Sequence, residues 1–119
     1  MARLFYEATY FNEDISQWDT AKVTSMEGMF YYADVFNSDL SQWNTGNVTT
    51  MELMFGGAIS FNKDVSRWNT AGVTSMKRMF YYMNAFNSDL SQWNTAKVTN
   101  MNGISIKLFP SAKTSPGGM

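Results

Sequence analysis

"FNSDLSQWNT" occupies Phe36–Thr45 and returns unchanged at Phe86–Thr95. Close variants stand at Phe11–Thr20 ("FNEDISQWDT") and Phe61–Thr70 ("FNKDVSRWNT"), so the interval is 25 residues each time. The full shared pattern is F-N-x-D-[ILV]-S-x-W-[DN]-T-x-x-V-T-x-M, usually followed by x-x-M-F. Self-similarity at this period is the signature of stacked units too small to fold alone. The expected fold class is therefore an α/β solenoid of four 25-residue coils, 11–35, 36–60, 61–85 and 86–110, with a partial coil at 3–10. Residues 1–110 form one domain in this reading, and 111–119, containing "SPGGM", form a flexible C-terminal tail.

Two elements are predicted per coil. In "TSMEGMFYYA" (Thr24–Ala33), Met26, Met29, Phe30 and Ala33 follow the i, i+3, i+4, i+7 rule of a helix face. Thr24 is placed as an N-cap, with Glu27 completing a capping box, and Thr49 with Glu52 repeats the device. Thr74 and Thr99 keep the cap without the acid. The other half of the coil predicts a short parallel strand around Asp14–Ser16, stacked on its equivalents. A changed ending, "ISIKLF", predicts a final strand that closes the last coil. Phe11, Phe36, Phe61 and Phe86, with Trp18, Trp43, Trp68 and Trp93, are assigned to the interior as framework residues.

Composition narrows the chemistry. The chain of 119 residues holds no Cys and no His. That excludes thiolate nucleophiles, His-dependent triads and ordinary zinc sites, and it leaves carboxylate and lysine chemistry. Nine basic residues stand against ten acidic ones, so nucleic acid is not an expected partner. No run approaches the roughly 20 apolar residues of a membrane helix, and the opening "MARLFYEATYF" is not a signal peptide. Neither cofactor nor membrane insertion is expected. The charge is nevertheless unevenly distributed. Residues 1–60 carry eight acids and two bases, whereas residues 61–119 carry two acids and seven bases.

The units "FNEDISQWDTAKVTSMEGMF" and "FNSDLSQWNTGNVTTMELMF" resemble the repeats of BspA-like, mycoplasma-lipoprotein-type surface proteins, distant relatives of leucine-rich repeats. The resemblance covers Arg3 to about Met101. It implies a solenoid of short strands and helices, a cell-surface or secreted location, and a role in adhesion or protein binding. It implies no catalytic machinery. Phe11, Asn12, Asp14, Trp18, Val23, Met26 and Phe30 match its framework positions.

Three ladders of polar side chains are candidate sites. Asp14, Asp39, Asp64 and Asp89 recur at one coil spacing, where like charges repel unless each carboxylate accepts hydrogen bonds in its own turn. A ladder of this kind could instead gather Ca²⁺ or another hard cation. Asn12, Asn37, Asn62 and Asn87 form a second ladder that backbone bracketing explains. Tyr31, Tyr32, Tyr81 and Tyr82, with Lys77 and Arg78 beside them, make the third, and the face most suited to contact with a partner.

The sequence therefore favours a non-catalytic module that presents a surface for protein or cell-surface interaction. A cation-dependent binding domain built on the Asp ladder is the second reading, and a carboxylate enzyme the third and weakest. Exposed coil ends and opposite charge in the two halves further predict a homo-oligomer, with a dimer favoured.

Overall fold

The computed structural model describes residues 1–83 and 86–104. The predicted closing strand from Ser105 onward, the end of the coil at 86–110 and the tail at 111–119 lie outside these residues.

Among the described residues there is no helix and no β-strand. The expected α/β solenoid, with its strand and helix in every coil, is overturned. The reason lies in the backbone of the stretch that carries the helix-like spacing. Gly28 (φ 61°) and Tyr32 (φ 54°) both adopt the left-handed conformation. A left-handed residue every fourth position cannot sustain a right-handed helix.

The N–H groups there follow a different rule. Those of Met29, Tyr31 and Ala33 reach back three residues to the carbonyls of Met26, Gly28 and Phe30. Those of Met26, Gly28, Phe30 and Tyr32 point sideways instead, to the carbonyls of Thr50, Glu52, Met54 and Gly56. The segment is a run of linked turns in which alternate donors close a turn and bond to a neighbouring segment. Every backbone N–H from Gly28 to Ala33 is satisfied without helix. The same left-handed pair recurs at Arg3 and Glu7, at Leu53 and Gly57, and at Arg78 and Tyr82.

The predicted strand fails for a similar local reason. The Asp14 carboxylate accepts the N–H of Ser16 at 2.9 Å, and the N–H of Trp18 bonds to the carbonyl of Ile15 at 3.1 Å. Both bonds turn the chain. Parallel pairing survives as isolated bridges at Ser25–Thr50, Thr50–Ser75 and Ser75–Asn100, ten residues beyond the place expected.

Without a helix, Thr24, Thr49, Thr74 and Thr99 are not caps. Thr49, Thr74 and Thr99 each send both the backbone N–H and the hydroxyl to the carbonyl of the threonine 25 residues earlier, with Oγ1–O distances of 3.1–3.2 Å. The turn is held by the following residue: the hydroxyls of Ser25 and Thr50 accept the N–H of Glu27 and Glu52 at 3.3 Å. The acids placed in capping boxes have other partners. Glu27 pairs with Arg3 at 3.2 Å, and Glu52 accepts the Ser75 hydroxyl at 2.5 Å.

The core is built of aromatic columns. Phe11, Phe36, Phe61 and Phe86 stack at centroid spacings of 5.7, 5.9 and 6.1 Å. Phe5, Phe30, Phe55 and Phe80 stack beside them at 5.7, 5.6 and 6.0 Å. The columns touch through pairs such as Phe30–Phe36 at 4.1 Å and Phe55–Phe61 at 4.3 Å. Met26, Met29, Met51, Met54, Met76 and Met79 fill the remaining interior and are fully buried. Polarisable, unbranched thioethers suit the gaps between stacked rings.

Candidate functional site

The tryptophans connect the core to the outer edges. Trp43, Trp68 and Trp93 are buried, and their indole N–H groups donate to the carbonyls of Ile15, Leu40 and Val65 at 3.0, 2.9 and 2.9 Å. Each bond spans 28 residues. A buried indole requires such an acceptor, because an orphaned N–H costs its desolvation. Trp18 departs from its predicted inward place and is 40% exposed. Leu4 and Tyr10 are exposed on the same N-terminal part of the chain, Tyr10 almost completely.

Of the other framework residues, Phe36, Phe61 and Phe86 are buried, and Phe11 is half-buried. A further set escaped the sequence reading. Thr20, Thr45 and Thr70 are buried, and their hydroxyls donate to the carbonyls of Asn44, Asn69 and Asn94 at 2.9, 3.0 and 3.2 Å. Their recurrence right after W-[DN] was the available signal.

The Asp ladder is a set of separate turns. Asp14, Asp39, Asp64 and Asp89 each accept the N–H of the serine two residues on, at 2.8–2.9 Å. At Asp14, Asp39 and Asp89 this backbone bond, followed by one from the serine side chain, holds the carboxyl below its usual range. At Asp64 the Ser66 side chain contributes most and the backbone bond second, to the same effect. Among the described residues no three acids gather where a metal ion could be held. The cation-dependent reading is therefore overturned. The carboxylate-enzyme reading finds no acid pair beside Asp64. A surface depression of about 310 Å³ is lined by Ser41, Gln42, Asp64 and Arg67 and offers one carboxylate where paired acid–base work needs two. In the Asn ladder, the Asn12 and Asn37 side-chain oxygens accept the N–H of Asn37 and Asn62 at 2.8 and 2.9 Å.

The tyrosines do not form the repeated interaction surface the sequence suggested. Tyr31 and Tyr32 are half-buried and meet edge to face at 4.5 Å, and Tyr31 stacks on Tyr6 at 4.9 Å. Both rings lie on the glycines of the neighbouring segment. A Cβ at Gly56 would stand 3.0 Å from the Tyr31 ring, and one at Gly57 would stand 2.4 Å from that of Tyr32. Tyr82 remains 60% exposed against a half-buried Tyr81, 4.3 Å away, and Arg78 lies 5.4 Å over the Tyr81 ring. Lys77 and Arg78 are exposed. Partial burial and then the neighbouring Tyr31 raise the Tyr32 phenol above its usual range, and a side-chain hydrogen bond to Tyr82 does so for Tyr81. These rings cover backbone and one another, so a module defined by a repeated contact surface for proteins or cell surfaces is not what the chain forms.

Among the described residues no helix is long and apolar enough to cross a membrane. No curated protein and no solved structure matches the chain. One family model does, described as "Mycoplasma protein of unknown function, DUF285", and it matches residues 1–114. This match corrects the resemblance to BspA-like, leucine-rich-repeat-like proteins, whose strands and helices are absent from the described residues, and it removes that resemblance as a ground for adhesion. Spanning nearly the whole sequence, the match makes the chain a member of the DUF285 family.

Proposed function

We propose that the chain is a non-catalytic structural unit that acts by associating with copies of itself, as a homo-oligomer whose first species is a dimer. The observation that carries this reading is the difference between Trp18 and its three equivalents. Trp43, Trp68 and Trp93 are at most 5% exposed and bonded to a carbonyl, whereas Trp18 is 40% exposed and its indole N–H has no acceptor among the described residues. An exposed aromatic with an unused donor, in an N-terminal stretch that also exposes Leu4 and Tyr10, has the composition of an interface centre. The non-catalytic part is supported by the ladder carboxylates, each committed to its own turn.

Sedimentation velocity over a dilution series tests the reading. Mass should rise with concentration, and quenching of the Trp18 contribution to fluorescence should fall with it. A strict monomer at roughly 10 micromolar, the weak end for specific interfaces of ordinary size, overturns self-association.

A further inference from the structure

Hydrogen bonds between neighbouring segments run in two directions. The N–H groups of Met26, Gly28, Phe30 and Tyr32 donate toward higher residue numbers, to the carbonyls of Thr50, Glu52, Met54 and Gly56. The N–H of Asn37, the indole N–H of Trp43 and the N–H of Thr49 donate the other way, to Asn12 Oδ1 and the carbonyls of Ile15 and Thr24. Residues 1–25 therefore carry unused groups of both kinds. The carbonyls of Ala2, Leu4 and Tyr6 are the counterparts of the acceptors Glu27, Met29 and Tyr31, and they take no bond from any described residue. The N–H of Asn12, the indole N–H of Trp18 and the N–H of Thr24 are the counterparts of the donors, and they give none. All six residues are exposed.

The same stretch leaves a layer of the core uncovered. Phe36 and Trp43 lie 4.1 and 6.3 Å from Phe30, and the three are at most 4% exposed. Their counterparts Phe11 and Trp18 lie 3.8 and 5.8 Å from Phe5, yet Phe5 and Phe11 are only half-buried and Trp18 is exposed. Met1 and Val23 pack on the same core and are half-buried too. What covers the inner cluster is the like cluster 25 residues earlier, through Phe5–Phe30 and Phe11–Phe36 stacking and the bond from Trp43 to Ile15. A cover of matching chemistry for Phe5, Phe11 and Trp18 is another layer of the same kind, and residues 1–25 of a second copy are such a layer.

We propose that the partner is a second copy bound about a two-fold axis, with residues 1–25 of one copy meeting residues 1–25 of the other. The inference rests on the self-association proposed above and adds its geometry. The axis lays the free carbonyls of Ala2, Leu4 and Tyr6 of each copy against the free donors of Asn12, Trp18 and Thr24 of the other. Trp18 of each copy gives its indole N–H to one of those carbonyls. The Phe5 column of one copy continues in the Phe11 column of the other, which removes both column ends from water. An isologous contact uses the same surface of both copies, so assembly closes at two. Residues 1–25 hold four acids and two bases, so like charge meets like across it.

Sedimentation of the full chain and of blocking variants tests the geometry. The wild-type mass should level off at two copies, and added salt should tighten the dimer by screening the repulsion. Trp18→Lys and Leu4→Glu each obstruct the contact at an exposed position, and both should be monomers that melt in urea as the dilute wild type does. Asn87→Lys alters an exposed position outside residues 1–25 and should dimerise fully. Trp18→Phe keeps a ring and loses the donor, and should weaken the dimer about thirtyfold, because symmetry removes two hydrogen bonds at once. Growth past two copies, dissociation by salt or loss of assembly in Asn87→Lys would mean that unlike surfaces meet, which overturns the two-fold geometry and leaves self-association standing. Full assembly in Trp18→Lys and Leu4→Glu also overturns it, and a monomeric wild type overturns both proposals.

Discussion

The indole N–H of Trp43 donates to the carbonyl of Ile15 at 3.0 Å, and it does so from inside the core. One side chain thus fills volume between aromatic columns and fastens two segments 28 residues apart. Trp43→Ala should cost about 3–5 kcal/mol, the range for large buried aromatics. Trp43→Phe should cost less, because the Ile15 carbonyl keeps its bond from the N–H of Trp18. Trp18→Ala in the monomer should cost markedly less than Trp43→Ala, since Trp18 is 40% exposed. Urea melts of the three variants check the order. Equal losses at Trp18 and Trp43 would contradict the packing.

Two threonine ladders separate burial from exposure. The Thr45 hydroxyl is buried and donates to the Asn69 carbonyl at 3.0 Å. Thr45→Val keeps the shape and removes the donor, and should cost about 1–2 kcal/mol. The exposed Thr49 also bonds through its backbone N–H to the same Thr24 carbonyl. Thr49→Val should therefore cost no more than about 0.5 kcal/mol, the usual limit at a surface position. A large loss at Thr49 would show that the hydroxyl bond to the Thr24 carbonyl carries weight beyond that of the backbone N–H.

How much of this is legible in the sequence depends on the link in question. Met26, Met29, Phe30 and Ala33 are all fully buried, so the apolar spacing does identify the inward side. It does not identify the backbone. Linked turns with left-handed residues at Gly28 and Tyr32 place the same four side chains inward as a helix would. Gly28, Gly57 and Gly103 announce their φ by composition. Leu53 and Arg78 at the equivalent positions, and Tyr32 and Tyr82 at the other, hide theirs behind residue types that rarely adopt it. The Asp turns are readable from D-x-S, a local pattern. The indole-to-carbonyl bonds are not, because their acceptor is set by how segments lie on one another.

Glycine and its absence at the left-handed positions give a paired prediction. Gly57 has φ 71°, and a Cβ there would sit 2.4 Å from the Tyr32 ring. Gly57→Ala must both strain the backbone and displace that ring, and should cost roughly 2–3 kcal/mol. Leu53, at φ 59°, occupies the position held by Gly28 and Gly103 elsewhere. Leu53→Gly relieves a strain of about 1–2 kcal/mol and gives back part of it through unfolded-chain entropy and lost side-chain contact. It should be neutral to stabilising, and calorimetric melts of the two variants should move in opposite directions or one should not move. A loss at Leu53→Gly as large as at Gly57→Ala would show that φ is not what distinguishes these sites.

The carboxylates of Asp14, Asp39, Asp64 and Asp89 contribute to the acid behaviour of the fold. Each is held below its usual range by bonds from the serine two residues on. A carboxyl with a folded pKa below its unfolded value, about 3.9, contributes stability that is fully present above that value. The contribution is lost as pH falls through the lower, folded pKa. The urea midpoint should thus be flat with respect to these groups above about pH 5 and should decline below it. Asn44, Asn69 and Asn94 make the same kind of turn with a neutral amide, accepting the N–H of Gly46, Ala71 and Ala96 at 2.9–3.1 Å. Asp39→Asn should therefore keep its turn, stay close to wild-type stability at neutral pH, and flatten part of the acid decline. An unchanged decline in that variant would mean that Asp39 does not contribute to it, and that the bond from Ser41 persists regardless of the charge on its acceptor.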